Sequence, residues 1–226
     1  WTFWVSGDYS AATDNISLEY TKTVFECFLR KARLSYSVKT ALRQVLYSQI
    51  CVYSDKSGIP VTLQLNGQLM GSPLSFPILC MINFLAYWIS LEEYLFSIGT
   101  YDDNKMLEVT FEDIASLING DDILFRSNEQ HYNIWLRVIR EVGFELSVGK
   151  NYCSEEYLTV NSELYSAKLI KKGQFTFTKI DYFNVGLLMG MSKLNSERDK
   201  KQPKPLWDTY NLVMKGATNK IRAHRS

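Results

Sequence analysis

The sequence has few of the residues that cross-link a protein or bind transition metals. Its 226 residues include four cysteines and two histidines. The cysteines are Cys27, Cys51, Cys80 and Cys153. Their wide scatter, with no paired spacing, argues against a zinc cluster and predicts four buried packing thiols in a reducing compartment. His131 and His224 have no ligand partners at suitable spacing, so neither is assigned to a metal.

Long apolar runs and a strong net charge are missing as well. The longest apolar run, residues 78–91, contains Asn83 and Ser90 and is shorter than the roughly 20 residues that span a bilayer. It predicts a buried core helix and no transmembrane segment. The net charge of +1 is by itself no signature of nucleic-acid binding.

The basic residues are nevertheless unevenly distributed. Residues 192–226 contain nine Lys or Arg against three acids, so this tail is positive and the rest of the chain is negative. The tail is suited to contact phosphate, and a solvated basic tail is an equal alternative.

Size and composition are those of a folded protein. The chain is 46% hydrophobic and 22% charged, and its length suits one large domain or two small ones with a sizeable core. No secretory leader opens it, and it begins at Trp1 rather than methionine. We therefore expect a fragment of a longer protein.

The most informative stretch is INGDDILF, residues 118–125. Two apolar runs around Asn-Gly-Asp-Asp are typical of a β-hairpin, and Asn119 and Gly120 are able to take the positive φ that such turns need. Such a hairpin presents Asp121 and Asp122 at its tip. Adjacent carboxylates repel, and a divalent cation with oxygen ligands, most often Mg²⁺ with phosphates, offsets that repulsion. The stretch thus indicates phosphoryl transfer, with an ordinary solvated turn as the alternative.

Periodicity predicts the other elements. Residues 1–6 form a buried strand that places Asp8 at its C-terminal end, residues 16–34 form a helix capped by Asp14, and residues 37–47 form a second helix. The remaining predicted elements are a hairpin over 49–65, a helix from near Ser75, an acidic surface connection over 92–113, a helix between Asn128 and Gly143, a loop or edge strand over 144–152, a hairpin over 168–178, a strand over 185–189 and a helix over 205–222.

This order of elements predicts an α+β fold with helices packed on one face of an antiparallel sheet. Asp8, from a strand end, and Asp121 with Asp122, from a hairpin tip, are expected to converge on one edge of that sheet. Bridging carboxylates of this kind suit a two-metal phosphoryl-transfer site, in which the cations lie roughly 3.5–4 Å apart.

Three segments resemble, in order, motifs A, B and C of viral RNA-dependent RNA polymerases: GDYSAATD (7–14), GQLMGSPLSFP (67–77) and GDD (120–122). Two more, GFELSVGK (143–150) and FNVGLL (183–188), resemble motifs D and E. The sequences of the first two segments are most similar to those of the narnavirus, ourmiavirus and levivirus branch of positive-strand RNA viruses. The resemblance covers most of the chain, residues 5–190.

The resemblance implies catalytic roles for individual residues. Asp8 and Asp121 would bind two Mg²⁺ ions, with Mn²⁺ as the alternative metal, and Asp122 would be a supporting ligand. The ions would clamp the triphosphate while an RNA 3′ hydroxyl attacks the α-phosphorus. Lys150 would protonate the departing pyrophosphate, and a merely solvated lysine is the alternative.

The resemblance also implies contacts to RNA and nucleotide. Gly71 and Ser75 would contact the template and the nascent base pair, and Asp14 would lie near the ribose. Many family members have an asparagine where this chain has Leu79, and Asn83 lies one helical turn further on. Asn83 is therefore assigned to nucleotide binding, with an amide bonded inside a core helix as the alternative.

For the whole chain, the resemblance implies a polymerase palm over residues 1–180, with an inserted finger-side segment at about 35–70. The start of a thumb and a basic tail would occupy residues 181–226, and most of the fingers would lie outside the chain. The implied partners are an RNA template, nascent RNA and ribonucleoside triphosphates, and the implied setting is viral replication and transcription in the host cytoplasm.

Two alternatives remain. A reverse transcriptase shares the palm and its metal ligands, but usually has an aromatic and a small or apolar residue where Asn119 and Gly120 stand. A catalytically inactive RNA-binding remnant would keep the fold without turnover, and the intact Asp8, Asp121 and Asp122 disfavour it.

Overall fold

A computed structural model describes residues 1–99, 115–171 and 173–181, together with Trp207, Tyr210, Asn211 and Met214. The chain divides into two compact units, Trp1–Asn161 and Ser162–Ser226. The strand predicted over 185–189 lies outside the described residues, as does most of the helix predicted over 205–222. The boundary between palm and thumb at residue 180 stays a prediction.

The elements of the first unit are β1 (Phe3–Gly7), β2 (Tyr9–Ser10), α1 (Ala12–Asn15), α2 (Leu18–Lys31), α3 (Tyr36–Tyr47), β3 (Ile50–Cys51), a 3₁₀ turn (Asp55–Ser57), β4 (Thr62–Leu63), α4 (Ser75–Ser97), β5 (Ser116–Asn119), β6 (Asp122–Ser127), α5 (Glu129–Val142), β7 (Glu145–Leu146), β8 (Tyr152–Ser154) and β9 (Tyr157–Val160). The second unit contains β10 (Glu163–Lys171) and β11 (Gln174–Lys179).

An antiparallel sheet in the order β5-β6-β1-β8 forms the centre of the first unit. Val5 lies opposite Phe125, and Gly7 lies opposite Ile123. Because side chains alternate along a strand, Val5, Ile123 and Phe125 face the same side of the sheet. All three are buried in one core with residues of α2, α4 and α5. This confirms the predicted α+β fold with helices on one face of the sheet.

Helix α4 is the central helix of that core. Its inward side chains, among them Ile78, Ile82 and Ala86, are buried, which confirms the predicted core helix. The apolar run 78–91 is part of a longer helix than its own length indicates, because the inward face continues through Leu91 and Tyr94 and the helix extends to 23 residues. Among the described residues it alone is long and apolar enough to span a membrane, and half of its most apolar window is buried inside the fold.

The start of α2 differs from the prediction. Asp14 lies inside the separate one-turn helix α1, and the N-cap of α2 is Ser17. The backbone is extended at Ile16 and Ser17 because Ile16 is fully buried and the Ser17 N–H donates to the Val142 carbonyl at 3.0 Å. The capping role predicted for Asp14 is therefore wrong.

The predicted ends of α5 are confirmed. The Asn128 side chain accepts from the His131 N–H at 2.9 Å, and Gly143 ends the helix with φ of 99°. A Cβ at position 143 would lie 2.5 Å from the Asn15 carbonyl oxygen, so this contact requires glycine.

Other elements follow the predictions with altered lengths. Helix α3 occupies the expected residues, whereas the hairpin predicted over 49–65 pairs only two residues on each side. The acidic connection begins as the last turn of α4, and residues 100–114 of it lie outside the described residues. In the second unit, β10 and β11 form the predicted hairpin around Gly173, which has φ of 81°.

The cysteines are free thiols, as predicted, but they are not all buried. Cys27 and Cys153 are exposed. Cys27 lies on the outer face of α2, whose inward face carries Phe25 and Leu29, and Cys153 lies on the edge strand β8. The prediction of four buried packing residues is therefore wrong for these two.

Candidate active site

The Gly-Asp-Asp segment is a tight hairpin turn. Strand β5 ends at Asn119, which pairs with Asp122 at the start of β6, so Gly120 and Asp121 form a two-residue loop. Of the two residues able to take positive φ at this turn, Gly120 does, with φ of 67°, whereas Asn119 keeps a negative φ. A Cβ on Gly120 would lie 3.0 Å from a ring carbon of Phe76.

Asp8 lies beside this turn because of strand pairing. Strand β1 runs antiparallel to β6 and ends at Gly7, which lies opposite Ile123. The residue that follows β1 therefore lies next to the residue at which β6 begins, and these residues are Asp8 and Asp122. A Cβ on Gly7 would lie 2.9 Å from Cγ2 of Ile123, so glycine permits this close approach. The predicted convergence at one sheet edge is what the strand register produces.

The three carboxylates interact electrostatically. Burial raises the pKa of the Asp122 carboxyl, and the negative charges of Asp121 and Asp8 raise it further, while the positive charge of Lys150 opposes them. The partly buried Asp122 carboxyl therefore lies in the negative field of two neighbouring carboxylates.

Lys150 neutralises part of that charge. Its Nζ donates to both carboxylate oxygens of Asp8, at 3.1 and 3.2 Å. The Asp8 side chain is 17% exposed and that of Lys150 is 60% exposed. The hydrogen bond and charge of Asp8, followed by the charges of Asp121 and Asp122, raise the pKa of Lys150. Lys150 is therefore part of this cluster and is not merely solvated.

The loop that carries Lys150 is also bound to the backbone of Asp8. The Ser147 N–H donates to the Asp8 carbonyl at 2.9 Å, and the Asp8 N–H donates to Oδ1 of Asn151 at 2.8 Å. The Asn151 side chain in turn donates to the Ser147 carbonyl. Sequence reasoning missed Asn151, although its place directly after Lys150, in a turn-rich segment, was a usable signal.

No ready-made metal site is present in the described ranges, where no group of three or more His, Cys, Asp or Glu is arranged to hold an ion. The donor chemistry nonetheless fits Mg²⁺, because Asp8, Asp121 and Asp122 offer only oxygen ligands. In this structure Asp8 is paired with the Lys150 ammonium. Binding of an ion to Asp8 therefore requires that this pair separate or share the carboxylate.

The motif B residues differ in exposure. Gly71 lies in an exposed loop with φ of 98°, and nothing lies within 4 Å of where a Cβ would be. Ser75 is 4% exposed, and its hydroxyl donates to Gln68 Oε1 at 3.0 Å. Gln68 donates in turn to Thr21 Oγ1 at 3.1 Å. Sequence reasoning missed this buried glutamine, and the RNA contacts assigned to Gly71 and Ser75 remain predictions.

Asp14 is exposed beside the start of the same loop. The Gln68 N–H donates to the Thr13 carbonyl, and a Cβ on Gly67 would lie 2.6 Å from the same oxygen. The end of motif A and the start of motif B are therefore in backbone contact. The role of Asp14 at the ribose stays a prediction.

Asn83 lies in the interior. It is 0% exposed; its Oδ1 accepts from the Tyr9 hydroxyl at 2.9 Å, and its Nδ2 donates to the Gly120 carbonyl at 3.0 Å. The oxygen and the nitrogen of the Asn83 amide are thus both hydrogen-bonded to other protein groups. The structure matches the alternative expectation, an amide bonded inside a core helix, rather than the assignment of Asn83 to nucleotide binding.

The antiparallel sheet, the helices on one face and the aspartates at the ends of β1 and β5 form an α+β fold of the polymerase-palm class. Two crystal structures of the RNA-dependent RNA polymerase of a human picorbirnavirus share this fold, the second being an insertion loop deletion mutant. Their TM-scores are 0.51 and 0.54, at 13% and 12% identity. They cover 73% and 98% of this chain and 28% and 44% of their own chains.

In sequence, the chain is 36% identical over 200 residues to the RNA-dependent RNA polymerase of Ourmia melon virus (isolate Melon/Iran/VE9). That match covers 84% of this chain and 22% of the relative. A comparison with models of protein families finds no match. The chain is similar to the viral RNA-dependent RNA polymerases, and it spans about a fifth of the length of the ourmiavirus enzyme.

Proposed function

We propose that this chain carries the catalytic centre of an RNA-directed RNA polymerase, which adds ribonucleotides to an RNA 3′ end during viral replication and transcription in the host cytoplasm. The observation that carries the proposal is the strand register that brings Asp8 beside Asp121 and Asp122. The 36% identity to a polymerase of this kind supports it. In the reaction, the 3′ oxygen forms a bond to the α-phosphorus and the bond to pyrophosphate breaks.

Asp8 and Asp121 are the proposed ligands of two Mg²⁺ ions, and Asp122 is a supporting ligand. Bound ions would supply charge neutralisation at the triphosphate and activation of the attacking oxygen. The raised pKa of Asp122, caused first by burial and then by the two neighbouring carboxylates, supports this assignment, because a cation relieves that repulsion.

Lys150 is the proposed general acid. Its pKa is raised by the carboxylates around it, so the ammonium keeps its proton at the site. Asp8 would hold the metal ion, and the Lys150 ammonium beside it would donate a proton to the leaving phosphate oxygen.

The exposed loop at Gly71 and the exposed side chain of Asp14 are the proposed contacts to the template, nascent base pair and ribose. Their support is their exposure and the backbone contact between Thr13 and Gln68, which joins the two segments. The proposed partners are RNA and ribonucleoside triphosphates.

Incorporation of nucleotides on a primed RNA template by the full-length protein tests the proposal. We expect Mg²⁺-dependent incorporation that Asp121→Asn abolishes and that the matched substitution Asp55→Asn, in the exposed 3₁₀ turn, leaves unchanged. Ribonucleotides should be used in preference to deoxyribonucleotides, which separates this proposal from a reverse transcriptase. Incorporation that survives Asp121→Asn would overturn the proposal.

A further inference from the structure

Helix α4 holds both polar backbone groups of the residue that precedes Asp121. The Gly120 N–H donates to Sγ of Cys80 at 3.2 Å, and the Gly120 carbonyl accepts from Nδ2 of Asn83 at 3.0 Å. Cys80 and Asn83 are three positions apart on the helix and therefore lie on the same face. One face of α4 thus fixes the position of the catalytic turn.

A third group fixes the orientation of the Asn83 amide. A carbonyl oxygen can only accept, so the amide nitrogen of Asn83 must face Gly120 and its oxygen must face the Tyr9 hydroxyl, 2.9 Å away. Tyr9 is therefore the donor in this bond. Tyr9 and Asn83 are 2% and 0% exposed, and hydrogen bonds in such an interior are strong and costly to lose.

Tyr9 is itself firmly held. Its ring stacks on that of Phe144 with a centroid distance of 4.4 Å and an interplanar angle of 11°, and its backbone pairs with Leu146. A continuous path of buried hydrogen bonds thus joins the residue after Asp8 to the residue before Asp121.

We infer that Asn83 is a positioning residue, which acts with Tyr9 and Cys80 to set the separation of Asp8 and Asp121. The inference rests on the proposed function and deepens it, because it gives Asn83 a role at the metal ligands and no contact with the nucleotide. A displacement of about 1 Å at reacting groups costs on the order of 100-fold in rate, so the path has a measurable effect.

The test uses two variants of the full-length protein, each with a matched control. Tyr9→Phe removes only the hydroxyl and keeps the stacked ring, and Tyr36→Phe, at an exposed tyrosine, is its control. Asn83→Leu removes both hydrogen bonds of the side-chain amide and keeps a side chain of similar volume. Its control is Asn133→Leu, at an exposed position of α5.

The expected effects fall on turnover and on metal binding. Tyr9→Phe should lower kcat about fivefold to tenfold, as expected for one buried hydrogen bond, and Asn83→Leu should lower it roughly 100-fold. Both should weaken Mn²⁺ binding, measured by electron paramagnetic resonance without substrate, and raise the Mg²⁺ concentration for half-maximal rate. The KM for nucleotide and the preference for ribonucleotides should not change. Because Tyr9 acts through Asn83, the double variant should match Asn83→Leu alone.

Several results would overturn the inference. A changed preference between ribo- and deoxyribonucleotides with unchanged Mn²⁺ binding would make Asn83 a nucleotide contact, and additive effects of the two substitutions would make Tyr9 independent of it. If Asn83→Leu does not fold, Tyr9→Phe carries the same test. A wild-type protein that incorporates no nucleotide overturns the proposed function, whereas Mn²⁺ binding equal in wild type and Tyr9→Phe overturns the positioning role.

Discussion

The Asp8–Lys150 pair places a cation at the position where the proposed mechanism needs a metal ion. The Lys150 ammonium contacts both oxygens of Asp8, so lysine and metal ion compete for one carboxylate. The same lysine is the proposed proton donor to pyrophosphate. Removing it should therefore have opposite effects on metal affinity and on rate.

We predict that Lys150→Gln tightens Mn²⁺ binding to the full-length protein while it lowers kcat by on the order of 100-fold, the usual contribution of a general acid. Titration of Mn²⁺ by electron paramagnetic resonance and single-nucleotide incorporation measure the two effects. Lys56→Gln, at an exposed lysine of the 3₁₀ turn, should change neither. Weaker metal binding in Lys150→Gln would show that the lysine supports the site instead of competing for it.

His131 is a buried histidine with a serine hydroxyl beside each ring nitrogen. It is 0% exposed, and its ring nitrogens lie 3.0 Å from Ser127 Oγ and 3.3 Å from Ser90 Oγ. Burial lowers its pKa to about 4. Because the folded pKa is below the unfolded value of about 6.5, the neutral ring contributes stability above pH 6.5. That stability is lost as the pH falls towards 4.

We predict that the free energy of unfolding falls by about 2 to 3 kcal/mol more between pH 7 and pH 4.5 in wild type than in His131→Gln. Urea denaturation at several pH values measures both slopes, and the comparison removes the contribution of groups that titrate in both proteins. Parallel slopes would mean that the pKa of His131 in the folded protein is close to its unfolded value.

Among the elements, those with a local signal could be predicted from the sequence. Strand β1, the hairpin at Gly120, and helices α3, α4 and α5 follow from side-chain periodicity, turn residues and caps. The break between α1 and α2 could not be predicted, because it depends on the burial of Ile16 against a distant part of the chain. The hydrogen-bond partners of Asn83 could not be predicted either, because Tyr9 and Gly120 lie 74 and 37 positions away from it in the sequence.

The loop before α4 packs against the backbone of α1 at Gly67. Gly67 and Gly58 have nearly equal φ, 66° and 65°, but a Cβ at position 67 would lie 2.6 Å from the Thr13 carbonyl oxygen, whereas position 58 is open. Substitution of either by alanine costs the strain of positive φ, about 1 kcal/mol. Only Gly67→Ala must also displace the backbone of α1.

We predict that Gly67→Ala lowers the free energy of unfolding by about 1 to 3 kcal/mol more than Gly58→Ala does. Chemical denaturation of the two variants gives this difference directly. Because Gly67 contacts the segment that carries Asp14, Gly67→Ala should also raise the KM for nucleotide, and Gly58→Ala should not. Equal destabilisation by the two substitutions would mean that the contact between motifs A and B is loose in solution.

Acidic and basic side chains are concentrated in different parts of the chain. The sheet edge carries three aspartates, and residues 192–226 carry nine Lys or Arg against three acids. The chain spans 22% of the related polymerase. The tail is the strongest basic segment that this chain itself offers to RNA.

The basic tail can be tested for RNA binding in the full-length protein. Replacing Lys200, Lys201 and Lys204 by Gln should reduce the dependence of RNA affinity on salt, by about 0.7 in the slope of log K against log salt for each phosphate of a single strand that the tail no longer neutralises. Replacing Lys31, Arg33 and Lys39 by Gln, in and near α2 and α3, removes the same charge as a control. Fluorescence anisotropy with a short single-stranded RNA at several salt concentrations gives both slopes. If both triple variants show the wild-type slope, the tail is solvated and binds no phosphate, whereas a reduced slope confined to the tail variant makes it part of the RNA-binding surface.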